Sequence, residues 1–255
     1  MPDRRSASRC CRSASRSKWM RSSRSAPDPL DPGPHGFAHR GVHRLDVIRE
    51  NTLTAFAAAL EIGAGIECDV RLTKDDQLVV FHDSDGRRLC DDPAVIGEST
   101  LAQLVHLRVG DQPIPTLASL FALVDGRVPL LIEAKVDGNL WRFGPALLRA
   151  VDSYQGRFGV MSFDPRLERW LKTNQPSIRR GLVMKGNLSA FRRWSAMRLA
   201  NPDFLAVETT ALGAPWLARI RQRMPVYSWT VKTRELRTLA ARHVDASIWE
   251  ADGRP

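Results

Sequence analysis

Short apolar runs recur along the chain, and between them apolar residues fall at helical spacing. Runs that read as strands occupy 36–39, 65–72, 78–82, 129–134, 158–162, 179–183, 204–208, 225–231 and 244–249. Helices fit at 140–152, 165–173, 188–199, 212–222 and 233–242. An earlier helix carries Leu53, Phe56, Ala57 and Leu60 on one side, with Asn51 or Thr52 placed to cap it and Gly63 to end it. Repeated βα units with short connections call for a parallel sheet. About eight such units in roughly 220 residues call for a closed (β/α)8 TIM barrel. A doubly wound open sheet is the alternative. Nine runs read as strands, one more than such a barrel uses. The segment 83–113 departs from the repeat, with two aspartate-rich turns and a short helix expected at 99–107. It is expected to cap the barrel mouth.

In a strand, residues two apart share a face. Glu67 and Asp69 therefore point one way and Cys68 the other, while Glu133 and Lys135 share a face further on. His39-Arg40-Gly41 and His82-Asp83 sit at the ends of neighbouring runs. A hairpin centred on Asp75 and Asp76 would pair His82 with Asp69. Three carboxylates, two histidines and two cations on strand ends are the parts needed to bind a hard divalent metal, hold a phosphate and move protons. Oxygen ligands alone suit Ca²⁺ or Mg²⁺ rather than zinc. Salt bridging to Arg40, Arg71 and Lys135 is the other use such carboxylates could have.

The pieces Ala38-His39-Arg40-Gly41, Glu50-Asn51-Thr52, Glu67-Cys68-Asp69-Val70, Val79-Val80-Phe81-His82-Asp83, Ile114-Pro115-Thr116-Leu117, Ile132-Glu133-Ala134-Lys135, Ser162-Phe163 and Trp229-Thr230-Val231 occur in this order. With them the chain resembles the glycerophosphodiester phosphodiesterases, metal-dependent enzymes on a barrel shared with phosphatidylinositol phospholipase C. The resemblance implies one divalent cation, Ca²⁺ or Mg²⁺, on Glu67, Asp69 and Glu133. It implies an acid–base pair in His39 and His82, and phosphate contacts from Arg40 and Lys135. Glu50 is expected beside the metal or Arg40. Asn51 belongs either to the site or to the helix cap. Phe163 and Trp229 contact the glycerol or leaving group, or else lie in the core. The family usually has Gly where this chain has Asp76.

The expected reaction is hydrolysis of a glycerophosphodiester to glycerol 3-phosphate and an alcohol. The resemblance implies first attack by the glycerol 2-hydroxyl, through a cyclic phosphate. Which histidine is acid and which is base stays open. A second reading keeps the barrel but takes lysophospholipids or sphingolipids, as a phosphodiesterase of phospholipase D type. A third, of another class, is a non-catalytic nucleic-acid- or membrane-binding protein acting through a basic tail.

That tail changes the reading of the charge. Of the formal net charge of +10, residues 1–25 carry +7, eight Lys or Arg against Asp3, which leaves +3 for the rest. A Ser/Arg-rich segment with few apolar residues cannot bury enough surface to offset its ordering entropy, so disorder is expected there. It lacks the apolar stretch of a secretion signal, and Met20 is an alternative start. The expected organisation is a tail and Pro-rich linker over 1–35, then the barrel over 36–255. No nucleic acid is expected on the folded part, whose partner is a small phosphodiester; oligomeric state stays open. No run approaches the roughly 18 apolar residues of a membrane span. Cys10, Cys11, Cys68 and Cys90 form no disulfide framework or zinc pattern, and Cys90 is expected in a loop. A reducing, cytoplasmic setting is therefore expected. His35, His43, His106 and His243 are read as surface or loop residues.

Overall fold

The computed structural model of this protein describes residues 28, 30–44 and 47–255. The basic segment 1–25, with its expected disorder, lies outside the described residues. Eight parallel strands form a closed ring: β1 (Phe37–Ala38), β2 (Gly65–Leu72), β3 (Leu130–Ala134), β4 (Phe158–Ser162), β5 (Arg179–Met184), β6 (Phe204–Glu208), β7 (Val226–Val231) and β8 (Ala246–Trp249). β1 pairs with β8 on one side and β2 on the other, which closes the barrel and removes the open-sheet alternative. The surplus strand is Leu78–Val80, antiparallel to β2 and outside the ring.

Among the described residues, seven helices of two turns or more cover the outside: α1 (Leu53–Glu61), α2 (Leu117–Val124), α3 (Leu140–Val151), α4 (Pro165–Asn174), α5 (Ala190–Ala200), α6 (Pro215–Arg221) and α7 (Arg234–His243). Side-chain oxygens of Thr52, Thr116, Asp164, Ser189 and Thr233 accept from the first-turn amides of α1, α2, α4, α5 and α7. Thr52 thus caps α1, and Asn51 is released for another task. The periodicity reading passed over α2. Its stretch is apolar almost throughout, so no polar face marks it, yet Thr116 starts it and Asp125, at φ +47°, stops it.

Alternation along the strands builds two cores. Outward residues such as Ile66, Cys68, Val70, Ile132 and Leu205 pack under the helices. Inward residues Phe37, Leu131, Met161, Val183, Phe204, Tyr227 and Ile248 fill the barrel. The barrel interior also takes Leu30, which is 1% exposed, and the Tyr227 hydroxyl donates to Asp28. The described part of the Pro-rich stretch is therefore packed against the barrel and is not a free linker. A Cβ on Gly181 would overlap the Phe204 ring, so glycine there leaves room for that ring in the barrel interior.

The hairpin register differs from expectation by one residue. Val70 pairs with Val80 and Leu72 with Leu78, and the Phe81 amide donates to the Asp69 carbonyl. The loop has three residues, Lys74 to Asp76, closed by the Thr73 amide donating to the Gln77 carbonyl. Asp76 takes φ +58°, the left-handed position such loops place after a type I turn. Phe81 therefore occupies the register position opposite Asp69, and His82 lies beyond the end of the strand.

Residues 83–113 pack on the surplus strand, where Ile96, Leu104, Leu107 and Val109 form a small separate core with Val79 and Phe81. The expected helix at 99–107 shortens to one turn, Leu101–Leu104, with Thr100 and Gln103 as a capping box. Cys90 ends another one-turn helix, Arg87–Cys90, not a loop. The segment reaches the mouth through Asp83 and Arg88.

Candidate active site

The candidate residues converge where the strands end, at the C-terminal mouth of the barrel. Glu67 and Asp69 project inward from β2 and Glu133 from β3, and register sets Asp69 beside Glu133. The three residues are 1%, 1% and 8% exposed. Their oxygens can be chosen within 4.8 Å of one another. Burial, then Asp69 and Glu133, push the Glu67 carboxyl well above the usual range. Glu133 is raised too, by burial and then by Asp69. Burial also opposes ionisation of Asp69, but Lys135 and Arg40 outweigh it and hold that carboxyl low. The Lys135 ammonium lies 2.9 Å from Asp69 Oδ1 and also contacts Glu133.

Glu67 Oε1 is shielded from solvent and has no hydrogen-bond partner. A buried carboxylate oxygen left this way costs on the order of 1–3 kcal/mol or more. The donor set is all oxygen, which suits a hard divalent cation. On both counts the residues fit such an ion.

Arg40 follows β1 at φ +55°. This unusual backbone turns its amide toward Glu67 Oε2 at 3.0 Å. Its guanidinium reaches Glu50 Oε1 at 2.7 Å and Asp69 Oδ2 at 3.1 Å. Gly41 follows at φ +80°, and a Cβ there would press on the Ala55 backbone at 2.7 Å. Asn51 is buried at φ +56°, its side-chain amide donating to Asp69 Oδ2 at 2.9 Å. Glu50 therefore partners Arg40, and Asn51 belongs to the site.

The two histidines are held alike. His39 Nδ1 lies 2.7 Å from Glu250 Oε2, and its Nε2 lies 4.0 Å from Glu67 Oε2. His82 Nδ1 lies 2.7 Å from Asp83 Oδ1. Burial lowers the pKa of each, against the raising effect of Glu250 on His39 and of Asp69 on His82. Each imidazole thus has one nitrogen on a carboxylate and the other free for a reacting group.

Sequence reasoning missed several neighbours. Arg88 bridges Asp83 at 2.6 Å and Glu50 at 2.7 Å, tying the anchor of His82 to the partner of Arg40. Arg71 donates to the His82 carbonyl at 2.8 Å. Glu250, just past β8, gathers His39, Lys232 at 2.7 Å and His43 at 3.6 Å. His43 therefore belongs to the mouth and is not a surface residue. Glu250 follows an apolar strand and so carried the signal of a strand-end carboxylate. Arg88, in a one-turn helix outside the βα repeat, carried none. Phe163 and Trp229 meet at 5.5 Å in an edge-to-face contact. Phe163 is largely open at the mouth, while Trp229 packs on the inner core and donates to the Ala206 carbonyl.

A closed parallel barrel that gathers carboxylates, two histidines and cations at one mouth has the parts of a phosphoryl-transfer hydrolase. Comparison narrows this class. The Glycerophosphoryl diester phosphodiesterase family matches residues 39–251, and the chain belongs to that family. A glycerophosphodiester phosphodiesterase of Caldanaerobacter subterraneus subsp. tengcongensis is 32% identical over 166 residues, 60% of this chain and 67% of that protein. The fold matches an Oleispira antarctica phosphodiesterase solved with its product sn-glycerol-3-phosphate, at TM-score 0.76 and 22% identity, over 86% of this chain and 94% of that one. It also matches a glycerophosphodiester phosphodiesterase of Thermotoga maritima at TM-score 0.71 and 28% identity, over 84% and 92% of the two chains. No described helix is long and apolar enough to cross a membrane.

Proposed function

We propose that this protein hydrolyses glycerophosphodiesters to glycerol 3-phosphate and an alcohol, using one divalent cation and two histidines. The observation that carries the proposal is the buried carboxylate triad with an unpartnered oxygen, set between His39 and His82. Glu67, Asp69 and Glu133 would hold Ca²⁺ or Mg²⁺, which when bound neutralises charge on the phosphate oxygens. Arg40 and Lys135 add fixed positive charge at the same place.

Glu250 and Asp83 orient the histidines by their Nδ1 atoms, leaving Nε2 for proton transfer. One histidine takes the proton of the glycerol 2-hydroxyl as that oxygen bonds to phosphorus. The bond from phosphorus to the leaving oxygen breaks, and the other histidine protonates the departing alcohol. Water then opens the cyclic phosphate with the two proton transfers reversed, giving glycerol 3-phosphate. The lowered pKa values favour the neutral, base-competent form at neutral pH.

His39→Ala and His82→Ala test this. Each should lower kcat about 10²–10⁴-fold. A p-nitrophenyl ester, whose leaving group needs no acid, should rescue only the variant that lacks the acid. Near-normal turnover of glycerophosphocholine by either variant would remove the acid–base pair.

A second reading, a lipid-derived diester, rests on exposed aromatics. Phe163 directly follows β4 and is 43% exposed; Phe191 and Trp194, in the first turns of α5, are 73% and 60% exposed. Helices that follow barrel strands begin at the mouth end. Faster cleavage of lysophosphatidylcholine than of glycerophosphocholine would favour this reading; the reverse would exclude it.

A further inference from the structure

Another group of metal-type donors lies at the mouth, around the histidine already assigned to proton transfer. His39, His43 and Glu250 each offer a ligand atom within 4.8 Å of the others. His39 Nδ1 is 2.7 Å from Glu250 Oε2, and His43 Nε2 is 3.6 Å from the same oxygen. The second distance is too long for a hydrogen bond. His43 Nε2 is shielded from solvent without a hydrogen-bond partner, on a side chain only 11% exposed. A ring nitrogen is thus aimed at an occupied carboxylate and left unsatisfied.

The chemistry of this set differs from that of the triad. Two imidazole nitrogens and one carboxylate oxygen form the ligand set of a zinc site with an open position. Zinc–ligand bonds of about 2.0–2.1 Å put tetrahedral ligand atoms about 3.3 Å apart. The observed 2.7 and 3.6 Å to the Glu250 oxygen bracket that spacing, and the two imidazoles offer nitrogens within 4.8 Å of each other. Lys232 is the nearby cation that opposes a metal. It holds the other oxygen of Glu250, Oε1, at 2.7 Å, and its side chain is 60% exposed and free to turn into solvent.

We propose that His39, His43 and Glu250 form an inhibitory site for zinc-type divalent ions, separate from the hard-cation triad. A metal on His39 Nδ1 displaces the proton that Nδ1 shares with Glu250. In the neutral ring this is the single ring proton; with Nδ1 on the metal it moves to Nε2, so that nitrogen carries an N–H and can no longer accept a proton. The inhibitory consequence rests on the proposed role of His39; the metal site itself does not.

The test uses the full chain with saturating Mg²⁺, so that the triad is filled. Zn²⁺ affinity is measured by competition with a chromophoric zinc indicator, and hydrolysis of glycerophosphocholine is followed over the same Zn²⁺ range. His43→Ala and His43→Gln are compared with wild type, with thermal unfolding as the check on folding. Cys10 and Cys11 are present in all three proteins, so the difference isolates the His43 site. Inhibition is expressed relative to each protein's own zinc-free turnover, so a change in basal rate does not enter the comparison. Both variants should bind Zn²⁺ more weakly and need more of it for inhibition, by at least the roughly 10–100-fold that losing an outer ligand partner costs. Zinc affinity and inhibition unchanged in both variants would overturn the site. Weakened binding in the variants with no inhibition of wild type would uphold the site and overturn the assigned role of His39.

Discussion

Replacing Glu67 by Gln should make the metal-free protein more tolerant of high pH and the metal-loaded protein less stable than wild type. The carboxylates of the triad offer oxygens within 4.8 Å of one another. Two unit charges at that separation repel by about 3.5 kcal/mol at an effective dielectric of about 20. Arg40 and Lys135 offset part of this, yet Glu67 and Glu133 remain raised. A carboxyl raised in the folded state adds stability that is full below its unfolded pKa, about 4.3, and is lost as pH rises through the folded value. Metal-free wild type should therefore lose stability from pH 5 upward through that window. Glu67→Gln should keep only the part of this loss that comes from Glu133, because the amide is uncharged and its oxygen can still accept from the Arg40 amide. A cation at 100 times its Kd adds about 2.7 kcal/mol to wild type. At about 2–4 °C per kcal/mol for a chain of this size, that is roughly 5–11 °C in Tm. Thermal unfolding in EDTA, Mg²⁺ and Ca²⁺ at pH 5, 6.5 and 8 measures both effects. Equal cation shifts in the two proteins, or no relative loss by metal-free wild type between pH 5 and 8, would refute the reasoning.

Arg88→Ala should lower kcat by about tenfold with little change in Tm. Arg88 is half exposed and ties Asp83 to Glu50, and exposed ion pairs add little stability; unchanged kcat would show that the tie does not position His82 or Arg40. Phe204→Ala should cost about 3–5 kcal/mol by opening a cavity in the inner core, and an unfolding midpoint close to wild type would contradict the packing described. Deletion of residues 1–25 should leave kcat/KM and Tm nearly unchanged, and loss of folding would show that the segment belongs to the domain.

The barrel and most of the candidate site were legible because both follow from period two. Once Glu67, Asp69, Glu133 and Lys135 lie on inward positions of adjacent parallel strands, their convergence needs no tertiary information. The hairpin shows the limit of that rule. The run from Thr73 to Gln77 fits a two-residue or a three-residue loop equally well by polarity. The decision lies in the left-handed backbone of Asp76, which the family's glycine at that position already signalled. Arg88 and Asp83 act from an irregular segment with no period to place them. The Glu250–His39 contact joins residues 211 apart in sequence, which only closure of β8 on β1 brings together. Asn51 was ambiguous because the same residue type caps helices, and the neighbouring Thr52 took that role.

The central claim is that a cation held by the triad is required for release of glycerol 3-phosphate. The most direct measurement is a coupled assay for that product over a panel of glycerophosphodiesters, first with excess EDTA and then with Mg²⁺ or Ca²⁺ restored. No release is expected in EDTA, with recovery on one or both ions. Full turnover in EDTA, or no glycerol 3-phosphate from any member of the panel with either ion, would contradict that claim.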